Sequence, residues 1–138
     1  MTGGAAEPLL LGLLNDPDEY VRAWSIQLLC ESRTPSDAAL TAFGQLARDG
    51  ASPLVRLYLA SAMQRTPIDK RRSILESLIS REGDATDHNL PLMYWFALEP
   101  VVGQDASTGL ALLDRARIPL LRQFITRRLA SEDLLAGR

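Results

Sequence analysis

The sequence is poor in the residues that disulfides, zinc sites and catalytic centres need. Its 138 residues include one cysteine, Cys30, and one histidine, His88. A single cysteine excludes an internal disulfide, and one residue of each type is too few for a zinc pair. Cys30 falls within an apolar stretch, so we interpret it as a small buried hydrophobic residue and not as a reactive thiol.

Long apolar runs and a surplus of basic charge are also missing. No stretch approaches the roughly 18 apolar residues that cross a bilayer, so no membrane insertion is expected. The N-terminus lacks the basic region of a signal peptide. The net charge of −2 argues against nucleic acid as the partner. We expect one domain over residues 1–138, a fragment of a longer chain, with flexible ends at 1–5 and 131–138.

A short pattern that recurs four times is the main feature of the chain. An aliphatic residue is followed three positions later by an aromatic one, and three of the four copies carry arginine directly after the aliphatic residue. The aliphatic residues are 34, 37 and 29 positions apart. A recurrence every 20–50 residues, roughly, is typical of a solenoid. The copies are Val21-Arg22-Ala23-Trp24, Val55-Arg56-Leu57-Tyr58, Leu92-Met93-Tyr94-Trp95 and Leu121-Arg122-Gln123-Phe124.

Prolines preceded by a capping residue mark where helices begin. Asp16, Thr34, Ser52 and Thr66 each precede a proline, and their side-chain oxygens can accept a free backbone N–H at a helix start. Apolar residues then recur at i, i+3, i+4 and i+7, the period of one helix face. The sequence therefore predicts an all-α fold, an α-α superhelix of about four helical hairpins. The eight predicted helices are Glu7–Leu14, Pro17–Ser32, Pro35–Asp49, Pro53–Arg65, Pro67–Arg81, Leu90–Val101, Ala106–Ala116 and Pro119–Ala130.

Two sets of charged residues are candidates for contacts between repeats. Arg22, Arg56 and Arg122 share one repeat position. They are interpreted either as a ladder of contacts to acidic residues at a neighbouring turn, as in HEAT-type repeats, or as a row that binds a ligand. Glu99 and Arg128 both fall on the apolar seam, so we expect them to form an ion pair between the last two repeats. The alternative is that the last helix ends the array and Arg128 meets solvent.

The segment 87–100 departs most from the repeat and begins with Asp87, His88 and Asn89. Catalysis by His88 is disfavoured, because adjacent residues rarely point at a common site and no serine or cysteine nucleophile motif accompanies them. A metal site of Asp84, Asp87 and His88 matches no recurrent ligand spacing. A capping or loop role is the preferred interpretation.

Aromatic and basic residues complete the predictions. By periodicity Trp24, Tyr58 and Trp95 lie in the apolar seam, and Leu28 and Phe96 fall on seam positions as well. Tyr94 either anchors a partner on the concave face or packs on the neighbouring hairpin. The basic run Lys70-Arg71-Arg72 is interpreted as a solvated helix face.

Three segments together resemble a known family: the start from Asp16-Pro17 to Trp24, the 52–62 core and the 87–95 block, of which Asn89-Leu90-Pro91-Leu92-Met93 is the most specific part. They are similar to the HEAT-like segment of large membrane-bound dehydrogenases predicted in planctomycete-type bacteria. In that family the segment lies between a β-propeller and a cytochrome c-type domain. The resemblance implies a spacer or docking role and a periplasmic or membrane-associated setting. It carries over no redox residue, because the haem motif Cys-x-x-Cys-His is absent.

The leading prediction is a non-catalytic α-solenoid scaffold. It would bind a protein or the neighbouring domains of its own chain, without a cofactor. The alternative is a HEAT-type DNA-repair protein of the alkylpurine glycosylase kind, which uses a basic groove with aromatic residues and an acid. The acidic charge balance and the predicted burial of the aromatic residues disfavour the alternative.

Overall fold

The computed structural model describes residues 3–31, 34–49 and 52–131. For residues 3–5 it describes the backbone alone. Within these ranges eight α-helices follow one another, with a 3₁₀ turn on either side of the fifth, Ile68–Lys70 and Glu82–Thr86. Residues 3–5, predicted to be flexible, belong to the first helix, and the predicted end of the second at Ser32 lies outside the described ranges. The helices are α1 Gly3–Leu13, α2 Glu19–Cys30, α3 Asp37–Arg48, α4 Pro53–Met63, α5 Arg72–Ile79, α6 Leu90–Val102, α7 Ala106–Arg115 and α8 Pro119–Ala130.

The helices pack as successive pairs in two layers. α1 packs against α2, α3 against α4, α5 against α6, and α7 against α8. The even-numbered helices also pack in the order α2, α4, α6, α8, and α3, α5 and α7 follow each other in the second layer. This arrangement confirms the predicted all-α array of hairpins, in which stacking covers the apolar face that each hairpin leaves open.

Helix starts follow capping chemistry, although only one of the four predicted caps is correct. Ser52 accepts a hydrogen bond from the N–H of Val55 and caps α4. The caps of α2 and α3 are instead Asp18 and Ser36. Each follows its proline by one residue, so the proline precedes the cap and does not open the helix.

The other predicted caps have different tasks. The Asp16 carboxylate accepts from the N–H of Asp18 and tightens the turn before α2. Thr34 lies outside α3, and the Thr66 hydroxyl donates to the Ala62 carbonyl, which closes the end of α4. The predicted helix over 67–81 therefore begins as a 3₁₀ turn, and its α-helical part starts only at Arg72.

Three helices of the even-numbered layer each bury a row of side chains four residues apart. α4 and α8 show the rows expected from the repeat, but the row of α6 contains Tyr94 and not Leu92. The register of the third copy is therefore two residues away from the predicted one, because Tyr94 takes the place that Leu59 holds in α4. The rows are Val55, Leu59 and Met63; Leu90, Tyr94 and Leu98; and Leu121, Ile125 and Leu129.

The prediction that the repeat aromatics fill the seam is wrong for the first copy. Trp24 is 53% exposed, and its seam neighbour Leu28 is 43% exposed. Phe96, also expected in the seam, is 55% exposed. Tyr58 and Trp95 are partly buried against the core. Periodicity identifies the apolar side of a helix, but a wide apolar side does not show which part of it the next repeat covers.

Arg71 is buried, which corrects its assignment to a solvated basic face. Only 8% of the residue is exposed. Its Nε donates to the Thr66 carbonyl at 2.8 Å, Nη1 to the Ala97 carbonyl at 2.8 Å, and Nη2 to the Gln64 carbonyl at 3.3 Å. Burial lowers the pKa of the guanidinium. The side chain thereby joins the end of α4, the linker to α5 and the middle of α6.

Replacing Arg71 by methionine should destabilise the fold by about 3 kcal/mol, because three carbonyls lose a charged donor. Arg71→Lys should recover only part of this loss, since an ammonium lacks the planar fork that reaches several carbonyls. Urea unfolding followed by far-UV circular dichroism gives the free energies.

Arg72→Met is the matched control for this measurement. Arg72 is exposed and pairs with Glu76 on its own helix at 3.0 Å, so its loss should cost less than about 0.5 kcal/mol. Equal destabilisation by Arg71→Met and Arg72→Met would contradict the role of Arg71 in joining α4, the linker to α5 and α6.

Candidate functional site: an apolar groove beside a buried polar triad

A buried polar triad connects the second and third hairpins. Asp84, in the 3₁₀ turn before α6, is 4% exposed. Arg56 of α4 binds both of its carboxylate oxygens, with Nε 2.9 Å from Oδ2 and Nη2 on Oδ1. The hydroxyl of Tyr94, which is fully buried in α6, donates to Oδ2 at 2.7 Å. The fork of the guanidinium therefore fixes one relative position of α4 and the turn before α6.

Electrostatics hold Arg56 and Tyr94 each in one protonation state. Burial lowers the pKa of the Arg56 guanidinium, but the hydrogen bonds and the charge of Asp84 raise it by more, so its pKa is above the usual value. Burial, followed by the bond to Asp84, raises the pKa of the Tyr94 phenol. Arg56 is thus a cation and Tyr94 a neutral donor at physiological pH. With its hydroxyl bound inside the fold, Tyr94 is not the exposed partner anchor that one interpretation predicted.

The predicted arginine ladder holds for Arg56 and fails for the other two arginines. Arg22 Nη1 donates to the carbonyls of Asp16 and Pro17, at 2.8 and 3.1 Å. Arg122 Nη1 donates to the carbonyls of Leu113 and Ala116. Both side chains therefore close the turn of their own hairpin. A partner-binding role for the three arginines stays a prediction.

Glu99 and Arg128 lie together, as the sequence predicts. Arg128 Nε donates to Glu99 Oε2 at 2.8 Å, and the two side chains are 21% (Arg128) and 41% (Glu99) exposed. The pair joins α6 to α8 one helical turn from Trp95 and Phe124, whose rings are tilted by 40° with centroids 5.3 Å apart. Gly103 makes room for it, because a Cβ there would lie 2.7 Å from Nη2 of Arg128.

The segment from Asp87 to Asn89 directly precedes α6. The Asp87 carboxylate accepts from the N–H groups of Asn89 and Leu90 at 2.8 and 2.9 Å, and these two bonds lower the pKa of Asp87. His88 is exposed. In the described part of the chain, no three His, Cys, Asp or Glu side chains are grouped as a metal ion would require. Partner binding by Asp87, His88 and Asn89 stays a prediction.

An apolar groove of about 610 Å³ crosses the even-numbered layer. Its floor comes from α4, and its sides come from the end of α2 and the first half of α6. Its charged lining residues are Glu31 and Arg65, one of each sign, so the groove itself is close to neutral. The remaining lining residues are Gln27, Cys30, Leu57, Tyr58, Ser61, Ala62, Asn89, Leu92, Met93 and Phe96.

The helices beside the groove carry exposed apolar side chains. Leu92 and Phe96 line the groove one helical turn apart and are 44% and 55% exposed. On α2, Tyr20, Trp24 and Leu28 form an exposed row with the same spacing of four residues. A contiguous apolar area on a folded protein is typical of an interaction site.

Cys30 also lines the groove, yet it is buried, as the sequence predicts. Burial raises the pKa of its thiol to about 11, while the charge of Arg65 lowers it in part. The thiol is therefore protonated at physiological pH, which fits a packing residue.

The sequence does not predict this groove. Its periodicity places Trp24, Leu28 and Phe96 in the seam, because an exposed apolar row and a buried one have the same period in sequence. One signal was available. The N-terminal half of α6, Leu90 to Ala97, carries apolar residues all around the helix, more than a single buried face requires.

These features define a class of protein: an array of α-helical hairpins with an apolar groove across one layer. The comparison with protein families agrees, because residues 7–31 match the family described as HEAT repeat. That match covers α1 from Glu7 and all of α2, so this part of the chain is a HEAT repeat. Comparisons with curated proteins and with solved structures give no significant match.

Two further findings bear on the predicted setting. None of these comparisons supports the dehydrogenase context that the sequence resemblance implies. No helix in the described ranges is long and apolar enough to cross a membrane.

Asp84→Asn should destabilise the protein by about 3 kcal/mol, because it leaves the Arg56 charge in a low-dielectric site without a full counter-charge. Tyr94→Phe removes only the hydroxyl and should cost about 1.5 kcal/mol. Adding Arg56→Met to Asp84→Asn should restore part of the loss, which a double-mutant cycle in urea detects.

Asp69→Asn serves as the comparison for this cycle, because Asp69 is an exposed carboxylate in the preceding 3₁₀ turn. It should change the free energy of unfolding by less than about 0.5 kcal/mol. A cycle without coupling between Arg56 and Asp84 would refute the triad.

The lowered pKa of Asp87 predicts a pH-dependent contribution to stability. A folded-state pKa below the unfolded value of about 3.9 stabilises the fold above that pH, and the gain is lost as pH falls through the folded value. The wild type should therefore exceed Asp87→Asn in stability at pH 7, with a difference that shrinks below about pH 4. Urea midpoints from pH 7 to pH 2 measure this.

Asp114→Asn, at an exposed position near the end of α7, controls for the general effect of removing a carboxylate. If Asp87→Asn and Asp114→Asn gave the same pH profile, the role of the Asp87 carboxylate as an acceptor for the N–H groups at the start of α6 would be wrong.

Proposed function

We propose that this protein is an interaction scaffold whose groove over α4 receives an amphipathic helix of a protein partner or of a neighbouring domain. The exposed apolar groove between α2 and α6 is the observation that carries the proposal. HEAT repeats generally mediate protein binding, which supports the same class of function. The scaffold role requires no chemistry from the chain, only a rigid surface.

The dimensions of the groove suit a helix. From Leu57 in α4 to Arg65 in the turn after it, the lining spans about 12 Å at the helical rise of 1.5 Å per residue, or two helical turns. A partner helix with apolar residues at i, i+3, i+4 and i+7 presents its anchors over that length. The volume of about 610 Å³ is within the range of roughly 300–1,000 Å³ typical of binding sites.

The lining also indicates what the partner helix carries. Its apolar face would meet Leu57, Leu92, Met93 and Phe96. Aromatic and methionine side chains are common at the centres of interfaces, and methionine adapts to differently shaped partners. Because Glu31 and Arg65 offset each other, a partner helix needs no strong net charge.

A narrower role is proposed alongside this one. The chain would orient neighbouring domains of a longer protein, of which the propeller and cytochrome arrangement named above is one form. Sequencing the flanking parts of the gene tests this form directly. An upstream β-propeller together with a downstream Cys-x-x-Cys-His motif supports it, and their absence removes it without affecting the groove.

Phe96→Glu should weaken partner binding by at least about tenfold, because it places a charge at the centre of an apolar contact. A photoreactive amino acid at position 96, introduced in the source cells, identifies the partner and the peptide that touches the groove. We expect a single partner peptide with helical apolar spacing.

Leu110 of α7 provides the control, since it is 49% exposed in the other layer. Leu110→Glu should leave binding intact, and photocrosslinking from position 110 should not capture the same peptide. Both variants should keep the melting curve of the parent, because each alters an exposed residue. Identical crosslinks from positions 96 and 110 would refute the groove, and tight, salt-sensitive DNA binding would favour the glycosylase-like alternative.

A further inference from the structure

A second cavity lies at the edge of the array, where turns of the second and third hairpins meet. It has a volume of about 990 Å³ and lies between the end of α3, the start of α4, the end of α5 and the turn before α6, with the end of α7 beside it. It shares no lining residue with the apolar groove. Whatever binds here would therefore do so independently of the proposed function.

The cavity is basic although the whole chain is acidic. Its lining contains four arginines and two aspartates, which leaves two positive charges in excess when His88 is neutral. Both aspartates already have partners, because Asp84 is bound by Arg56 and Tyr94, and Asp87 accepts from N–H groups at the start of α6. The four arginines are Arg48, Arg56, Arg81 and Arg115.

Arg81 contributes an unusual donor. Its Nη2 donates to the Ala47 carbonyl at 2.6 Å and so covers the end of α3. Its Nε is buried and has no hydrogen-bond partner among the described residues. A buried N–H without an acceptor is uncommon in folded proteins.

Two more arginines line the cavity with few side-chain contacts of their own. Among the described residues the Arg48 guanidinium bonds only to Gln45 of its own helix, through Nη2 at 3.0 Å. Arg115 Nη1 forms a long ion pair of 4.0 Å with Oε1 of Glu76, whose Oε2 is held by Arg72 at 3.0 Å. The side chain of Arg115 is 51% exposed. Both arginines can thus turn their donors towards an incoming anion.

We infer that this cavity binds an oxyanion carried by an acidic peptide, through Arg48, Arg81 and Arg115. Guanidinium groups bind carboxylate and phosphate through paired donors, so both belong to the same ligand chemistry. A peptide fits better than a nucleic acid, because two excess charges in one cavity do not form the basic stripe that a phosphate backbone requires.

Fluorescence anisotropy of a labelled octaglutamate peptide at low salt tests the site. Arg115→Glu should weaken binding about tenfold through the loss of one charge-assisted contact and the added repulsion. Arg127→Glu, which makes the same charge change on α8 outside the cavity, should change the affinity less than about twofold. Melting curves confirm that both variants are folded.

Nuclear magnetic resonance adds a direct readout. The Nε–H signal of Arg81, assigned by its loss in Arg81→Lys, should shift when the peptide is added. A peptide of the same length with one phosphoserine shows whether the site prefers phosphate or carboxylate. Tighter binding of either peptide supports the site. Phe96→Glu in the groove should leave this binding unchanged, which separates the two proposals.

Three results would overturn the inference. The first is no binding of either peptide up to about 1 mM, the weak end of specific affinities. The second is an equal loss in Arg115→Glu and Arg127→Glu, which would show only an effect of net charge. The third is an Arg81 signal that stays in place while the peptide binds.

Discussion

The Asp84 carboxylate, enclosed by Arg56 of one hairpin and Tyr94 of the next, is the contact on which the middle of this array depends. Stacked helices bury apolar surface, but apolar burial is non-directional and tolerates sliding by a residue or a turn. A two-pronged bond between a guanidinium and a carboxylate does not. Arg71 adds a second fixed point, because it ties the end of α4 to the middle of α6 through three carbonyls.

Fixing these helices has a consequence for the surface. With α4 and α6 held in one register, the side chains of α6 that do not enter the core form a constant pattern beside α4. Leu92 and Phe96 are therefore exposed by position, because Tyr94 occupies the buried place between them. The polar triad and the apolar groove are two results of one helix register. A rigid groove also loses less entropy on binding than a flexible one would.

The arginines divide into those that hold the fold together and those whose side chains can still bind a ligand. Arg22 and Arg122 close turns, Arg56 and Arg71 join hairpins, and Arg128 pairs with Glu99 across the last two repeats. The sequence treats these arginines as similar, yet their partners range from carbonyls to carboxylates. Arg81 of the second cavity differs in one respect, because its buried Nε has no acceptor among the described residues.

The sequence by itself determined the all-α class, the hairpin count, the position of most helices and the Glu99–Arg128 pair. The class and the helix positions follow from period and capping, which act within a few residues, whereas the hairpin count and the Glu99–Arg128 pair follow from equivalent positions in a repeat. Only the tertiary structure decided the register of α6, the burial of Tyr94 and Arg71, and the exposure of Trp24 and Phe96. The reason is physical: a helix with apolar residues on several sides has several possible cores, and the polar partners that choose between them are distant in sequence. Asp84 is 28 residues from Arg56, and Ala97 is 26 from Arg71.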